Sequence, residues 1–252
     1  MIIFDNLNGK CWWCNDLADT REHVYKRTDL EREYQRDNNL ILIHNAEPTK
    51  KGKKLQSKNS KLVKFRKSLC NNCNSAKSQP FDKAYDQFVS YLKNNEEQIS
   101  KRSKILFNDI FKNDWEVQKY NLIRYFIKHL GCSLAENKIR ISSNLIDFLN
   151  GKGYPQNLEI VFSQSIDRKN YLDSIKNEVF STSWIGRSDV LLEFNDKTKM
   201  INFFKYELFY RSFSFYINWD YKITGFKNNF PVESIHLIHY HEDYFRDLID
   251  KN

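Results

Sequence analysis

Residues 11–24 read CWWCNDLADTREHV and residues 70–77 read CNNCNSAK. Each stretch opens on two cysteines separated by two residues, a spacing at which one tight turn presents two thiolates to a single ion. Two such turns complete a tetrahedral four-sulfur set, so Cys11, Cys14, Cys70 and Cys73 predict a structural Zn2+ site tying two distant segments together. Four thiolates leave no open coordination position, which argues against catalytic zinc. Neither pair lies in a β-α-β context, which argues against dithiol redox chemistry. Cys132, the fifth cysteine, stands alone in an apolar stretch and reads as an ordinary buried residue.

Outward from the cysteines, the charge is unevenly placed. The 252-residue chain carries a formal charge of +8, yet residues 48–77 hold ten Lys or Arg side chains and no Asp or Glu. The rest of the chain is therefore slightly acidic. A lysine-rich loop is often merely solvated, but beside a reactive site it becomes a strip able to grip phosphates. Composition otherwise describes a folded protein: 40% apolar, 15% aromatic, and few Gly or Pro. No apolar run reaches the roughly 18–20 residues that cross a bilayer. The start, MIIFDNLNGKC, lacks the basic and apolar regions of a secretory signal. A cytoplasmic protein without a membrane partner is the expectation.

Between and after the cysteine pairs lie Asp19-Thr20-Arg21-Glu22-His23 and Asn74-Ser75-Ala76-Lys77. With these residues in this order, the stretch over about 10–93 resembles the HNH (His-Me finger, ββα-metal) endonucleases that carry zinc on four cysteines. The resemblance implies a β-ribbon bearing His23, a following helix opened by Asn74, and zinc clamping ribbon and helix at their base. It implies His23 as the general base that activates water. Glu22 and Asn74, both hard oxygen donors, would hold one catalytic Mg2+ or Mn2+. Lys53, Lys54, Lys64, Arg66, Lys67 and Lys77 would contact the backbone of a DNA substrate. The family's middle Asn has no counterpart in Lys61–Lys67; Asn59, Asn45 and His44 are the nearest candidates. Such nucleases occur in bacterial restriction and anti-phage defence. One site cuts one strand, so cutting both needs a homodimer or two events. A zinc-stapled module that binds nucleic acid or a partner without cutting is the alternative.

The remaining pattern predicts an α+β chain: an N-terminal module over 1–95, a helical middle, and a C-terminal region with several antiparallel strands. Phe81, Tyr85, Phe88, Val89 and Leu92 fall at helical spacing behind Pro80, a residue tolerated in a first turn. Further helices are expected over about 96–111, from Asp114 to Leu130 with Gly131 as the stop, and near 143–149. Strand-like runs cover 158–162, 178–184, 189–194, 199–204, 212–219 and 233–241, with a hairpin at Asn195-Asp196 and a short terminal helix to Ile249. In the run 203–210 the dense aromatics read as core. His236, His239 and His241 do not share one strand face, so they are not expected to converge on a metal. Region 96–252 would recognise DNA, an activating ligand or a partner subunit.

Overall fold

A computed structural model describes residues 8–33, 41–42, 53–54, 57, 59–175, 185–195, 197, 201–222, 226–227 and 233–242. The first segment makes the Cys11–Cys14 turn and then pairs with a segment far along the chain. Thr20 lies opposite Leu69 and His23 opposite Lys64, both antiparallel. Backbone bonds fix this ribbon: Phe65 N–H donates to the Glu22 carbonyl (2.9 Å) and Val24 N–H to the Val63 carbonyl (2.8 Å). The intervening chain holds helix α1 (Arg27–Glu33), the paired two-residue strands β1 (Ile41–Leu42) and β2 (Lys53–Lys54), and a 3-10 turn over Lys61–Val63.

Helix α2 (Asn71–Asn74) starts directly after Cys70, and α3 (Gln79–Asn94) carries Pro80 in its first turn. Then follow α4 (Glu96–Ile99), β3 (Lys104–Leu106), α5 (Phe107–Phe111), α6 (Trp115–Glu136) and α7 (Ser143–Leu149). The C-terminal part contains β4 (Tyr154–Pro155), β5 (Leu158–Ser165), α8 (Ile166–Ser174), β6 (Ile185–Arg187), β7 (Leu191–Phe194), β8 (Ile201–Tyr210), β9 (Phe213–Asp220), β10 (Phe226–Lys227) and β11 (Ser234–Tyr240). Seven of these strands form one sheet in the order β3-β11-β5-β9-β8-β6, with β7 also on β8. Every pair is antiparallel except β11 with β5. The molecule is thus α+β, with a helical middle and a mixed, mostly antiparallel sheet.

Periodicity explains the layering. α3 buries Phe81, Ala84, Tyr85, Phe88, Val89 and Leu92, one stripe at three- and four-residue spacing. β8 buries Phe204, Tyr206, Leu208 and Tyr210 at the alternation of a strand with one covered face. The layers meet in aromatic contacts: Phe215 of β9 lies 5.5 Å from Phe88 and 5.3 Å from Phe126 of α6, centroid to centroid. Each such ring taken out of water contributes about 1.5–3 kcal/mol. The buried residues form one continuous core from Cys11 to Leu237, so apolar contacts cross the 95/96 boundary.

Several elements differ from expectation. The helix expected over 96–111 is interrupted by β3, where Ile105 pairs opposite Ile235 of β11. Tertiary pairing outweighs helix propensity there. The helix expected to stop at Gly131 runs on to Glu136, because Gly131 is a contact residue and not a terminus. β7 and β8 pair antiparallel, while Asp196 of the expected hairpin turn lies outside the described residues. The run 178–184 and the terminal helix to Ile249 lie outside the described residues, as do His44 and Asn45.

Candidate functional site

The first cysteine turn is a narrow loop closed by backbone bonds. Cys11 N–H donates to the Asp16 carbonyl (2.6 Å) and Asn15 N–H to the Cys11 carbonyl (2.8 Å). Positive φ at Gly9 (78°) and Asn15 (68°) lets the chain fold back on both sides. In the second turn the Cys70 sulfur caps α2 by accepting from Cys73 N–H. The four sulfurs all lie within 4.8 Å of one another, with Cys14 and Cys70 at 3.5 Å. A Zn–S bond of about 2.3 Å gives a tetrahedral S–S edge of about 3.8 Å, so the set fits an ion such as zinc. Among the described residues it is the one group of three or more His, Cys, Asp or Glu placed to hold a metal.

The thiols titrate unequally. Burial pushes Cys14 up to about 12, and burial together with the charge of Cys11 raises Cys73 further. Burial would raise Cys70 too, but the Cys73 N–H and the neighbouring thiols outweigh it and lower its pKa. Binding of an ion that takes thiolates would therefore release protons.

The Trp12-Trp13 pair between the first two cysteines anchors the cluster to the helical middle. A Cβ on Gly131 of α6 would lie 2.5 Å from the Trp12 ring, so the indole occupies the space that glycine leaves. Trp13 stacks on Phe81 at 6.0 Å and donates its indole N–H to Asn150 Oδ1 at 2.9 Å.

Glu22 and His23 lie on the first of the two bridged segments of the ribbon. His23 is half-buried, and its Nε2 is buried with no hydrogen-bond partner among the described residues. Burial lowers its pKa, and Lys64, Arg27 and Lys128 act in the same direction against Glu22. The imidazole is accordingly neutral near pH 7 and able to accept a proton. Glu22 turns its Oε2 to the Lys128 ammonium at 2.7 Å. Lys128 is only 2% exposed and also donates to Ser78 Oγ (3.0 Å) and Asp82 Oδ2 (3.4 Å). Burial alone would lower the Lys128 pKa; Glu22 and Asp82 outweigh it and keep the amine charged. Asn74 follows Cys73 directly, and its Oδ1 is buried with no partner among the described residues.

The basic residues divide. Lys67 and Lys77 are exposed and Lys64 half-exposed, with Lys77 5.4 Å over the Trp13 ring. Arg66 is engaged elsewhere: its guanidinium donates to the Ala135 carbonyl at the end of α6, and its backbone N–H to Glu136 Oε2. Lys53 and Lys54 form β2, and their side chains lie outside the described residues. Asn59 is exposed in the loop before the ribbon's second strand. His239 accompanies the Arg102 carbonyl and His241 the Asp167 carboxylate, each at its own place on the sheet end.

Sequence reasoning missed Lys128 and its neighbour His129, because their partners beside His23, Glu22 and Val24, lie more than 100 positions away. The only local sign was a polar Lys-His pair inside the otherwise apolar stretch 125–132 of α6. The buried Cys132 thiol, pushed far up by burial, lies four residues beyond Lys128 on the same helix. Comparisons with protein-family models, with curated proteins and with solved structures give no match. No helix among the described residues is long and apolar enough to cross a membrane.

Proposed function

We propose that the chain is a divalent-metal-dependent endonuclease of the HNH type acting on DNA, serving bacterial restriction or defence in the cytoplasm. The reading rests chiefly on one observation: the His23 Nε2, buried with no partner among the described residues, on a ribbon that follows the first turn of a four-cysteine cluster. In this reading His23 is the general base, taking a proton from water at Nε2. Zinc on the four cysteines would hold the two halves of the site in register. Glu22 and Asn74 would hold Mg2+ or Mn2+, which supplies positive charge to stabilise the phosphorane and the leaving oxygen. The Asn74 Oδ1, buried with no partner among the described residues, suits that role, while Glu22 Oε2 is paired with Lys128. Lys64, Lys67 and Lys77 would grip the sugar-phosphate backbone without reading bases. The sheet region would recognise a ligand or partner subunit, and a homodimer would cut both strands.

The ion pair of Glu22 with Lys128 favours a second reading, a module that binds nucleic acid without cutting, since one carboxylate oxygen is already occupied. Incubation of full-length protein with supercoiled plasmid and Mg2+ or Mn2+ separates the two. Nicked or linear products that require the added metal support the nuclease. Salt-sensitive binding with intact plasmid under every divalent metal supports the binding module.

A further inference from the structure

We infer that Lys128 and His129, consecutive residues of α6, are positioning residues that hold the His23 strand from both sides. The inference rests on the reading of His23 as the base. Lys128 Nζ meets the Glu22 carboxylate at 2.7 Å, one residue before His23. His129 Nε2 meets the Val24 carbonyl at 2.9 Å, one residue after it. Both side chains are buried, and neither contact belongs to the ribbon's own ladder.

The protonation pattern of His129 follows from its two partners. A carbonyl accepts only, so Nε2 carries the proton and donates to Val24. Nδ1 is then the acceptor, and it receives the Tyr206 hydroxyl at 2.8 Å. A continuous path of hydrogen bonds therefore runs from β8, through α6, to the backbone beside His23. Lys128 is fixed in turn by Ser78 and Asp82 of the segment that follows the second cysteine turn. The ribbon contributes one strand edge and two backbone bonds around His23; α6 supplies the clamps that stop it sliding or tilting. This assigns part of the helical middle to the site itself.

The test compares full-length Lys128→Met, Lys128→Arg, His129→Leu and His129→Gln with wild type, with zinc content measured for each. Ile235→Ala on β11, paired with β3 and outside both the ribbon and α6, serves as a control that destabilises the fold. Plasmid cleavage by Lys128→Met and His129→Leu should fall ten- to a hundred-fold in kcat with KM for DNA and zinc content unchanged. His129→Gln, whose amide retains a donor near the Nε2 position, and Lys128→Arg should recover part of the loss. The second readout is amide hydrogen exchange at Val24 and Phe65, which needs no activity. It should accelerate at least ten-fold in Lys128→Met and His129→Leu relative to amides within β8 and β9, and not in Ile235→Ala. Unchanged exchange at Val24 and Phe65, or losses of kcat no larger than in Ile235→Ala, would overturn the inference. A wild-type protein that never cleaves would instead overturn the nuclease reading, and the exchange data would still decide the bracing.

Discussion

His129 is buried between the Val24 carbonyl and the Tyr206 hydroxyl, and burial pushes its pKa down to about 3. An unfolded histidine titrates near 6.5, so below that pH the unfolded chain binds a proton that the folded chain refuses. The neutral ring's contribution is complete above about 6.5 and is lost as pH falls toward the folded value. The loss is about 1.4 kcal/mol per pH unit. Urea unfolding at pH 6.5 and 5.5 should show this acid-side loss in wild type but not in His129→Gln, once the shared change is subtracted. Equal pH slopes would contradict the buried neutral ring. Tyr206→Phe should cost about 1–3 kcal/mol in the same assay, because it leaves Nδ1 buried without a donor. At this scale the cysteines were legible in the sequence, since each pair closes over two residues and the chemistry of a thiol pair is local. The Lys128 and His129 contacts were not, because nothing within a helix says which strand it will meet.

At the scale of elements, α3 was readable because its apolar stripe is continuous and Pro80 marks its start. α6 was misjudged at its end. Gly131 resembles a helix stop by propensity, yet it is retained inside the helix where the Trp12 indole closes on it. A glycine chosen for a close approach and one chosen for a left-handed terminus look alike in sequence. The structure therefore makes a specific prediction: Gly131→Ala forces the methyl against a ring 2.5 Å away and should destabilise the protein by about 1–3 kcal/mol. Thermal unfolding with zinc bound provides the measurement. A variant as stable as wild type would show that Trp12 does not pack there. The interrupted helix at 96–111 teaches a related lesson. Ile105 is called into the sheet by β11, which lies about 130 residues further on.

Across the whole molecule, the described Lys64 and Lys67 belong to the ribbon's second segment and the cysteine cluster to the turns that flank it, while the apolar core runs on from the cluster through α6 into the sheet. The net charge alone said little; its confinement to residues 48–77 said where to look, and the pairing of His23 with Lys64 places one of those lysines across from the proposed base. If Lys64 and Lys67 each neutralise one DNA phosphate, Lys64→Gln with Lys67→Gln should weaken binding to all sequences alike. It should also make the log Kd against log salt line shallower by about 2. An unchanged slope would place the contact elsewhere. The α+β class and the strand-rich C-terminal part could be read from periodicity; the sheet order could not, because β3 and the parallel β11–β5 pair depend on contacts between distant segments. The most direct measurement is the single-turnover nicking rate of supercoiled plasmid by full-length wild type and His23→Ala, both zinc-loaded and at saturating Mn2+. A proton-accepting His23 predicts a rate about 10²–10⁴-fold lower in the variant with DNA affinity retained; equal rates would contradict it.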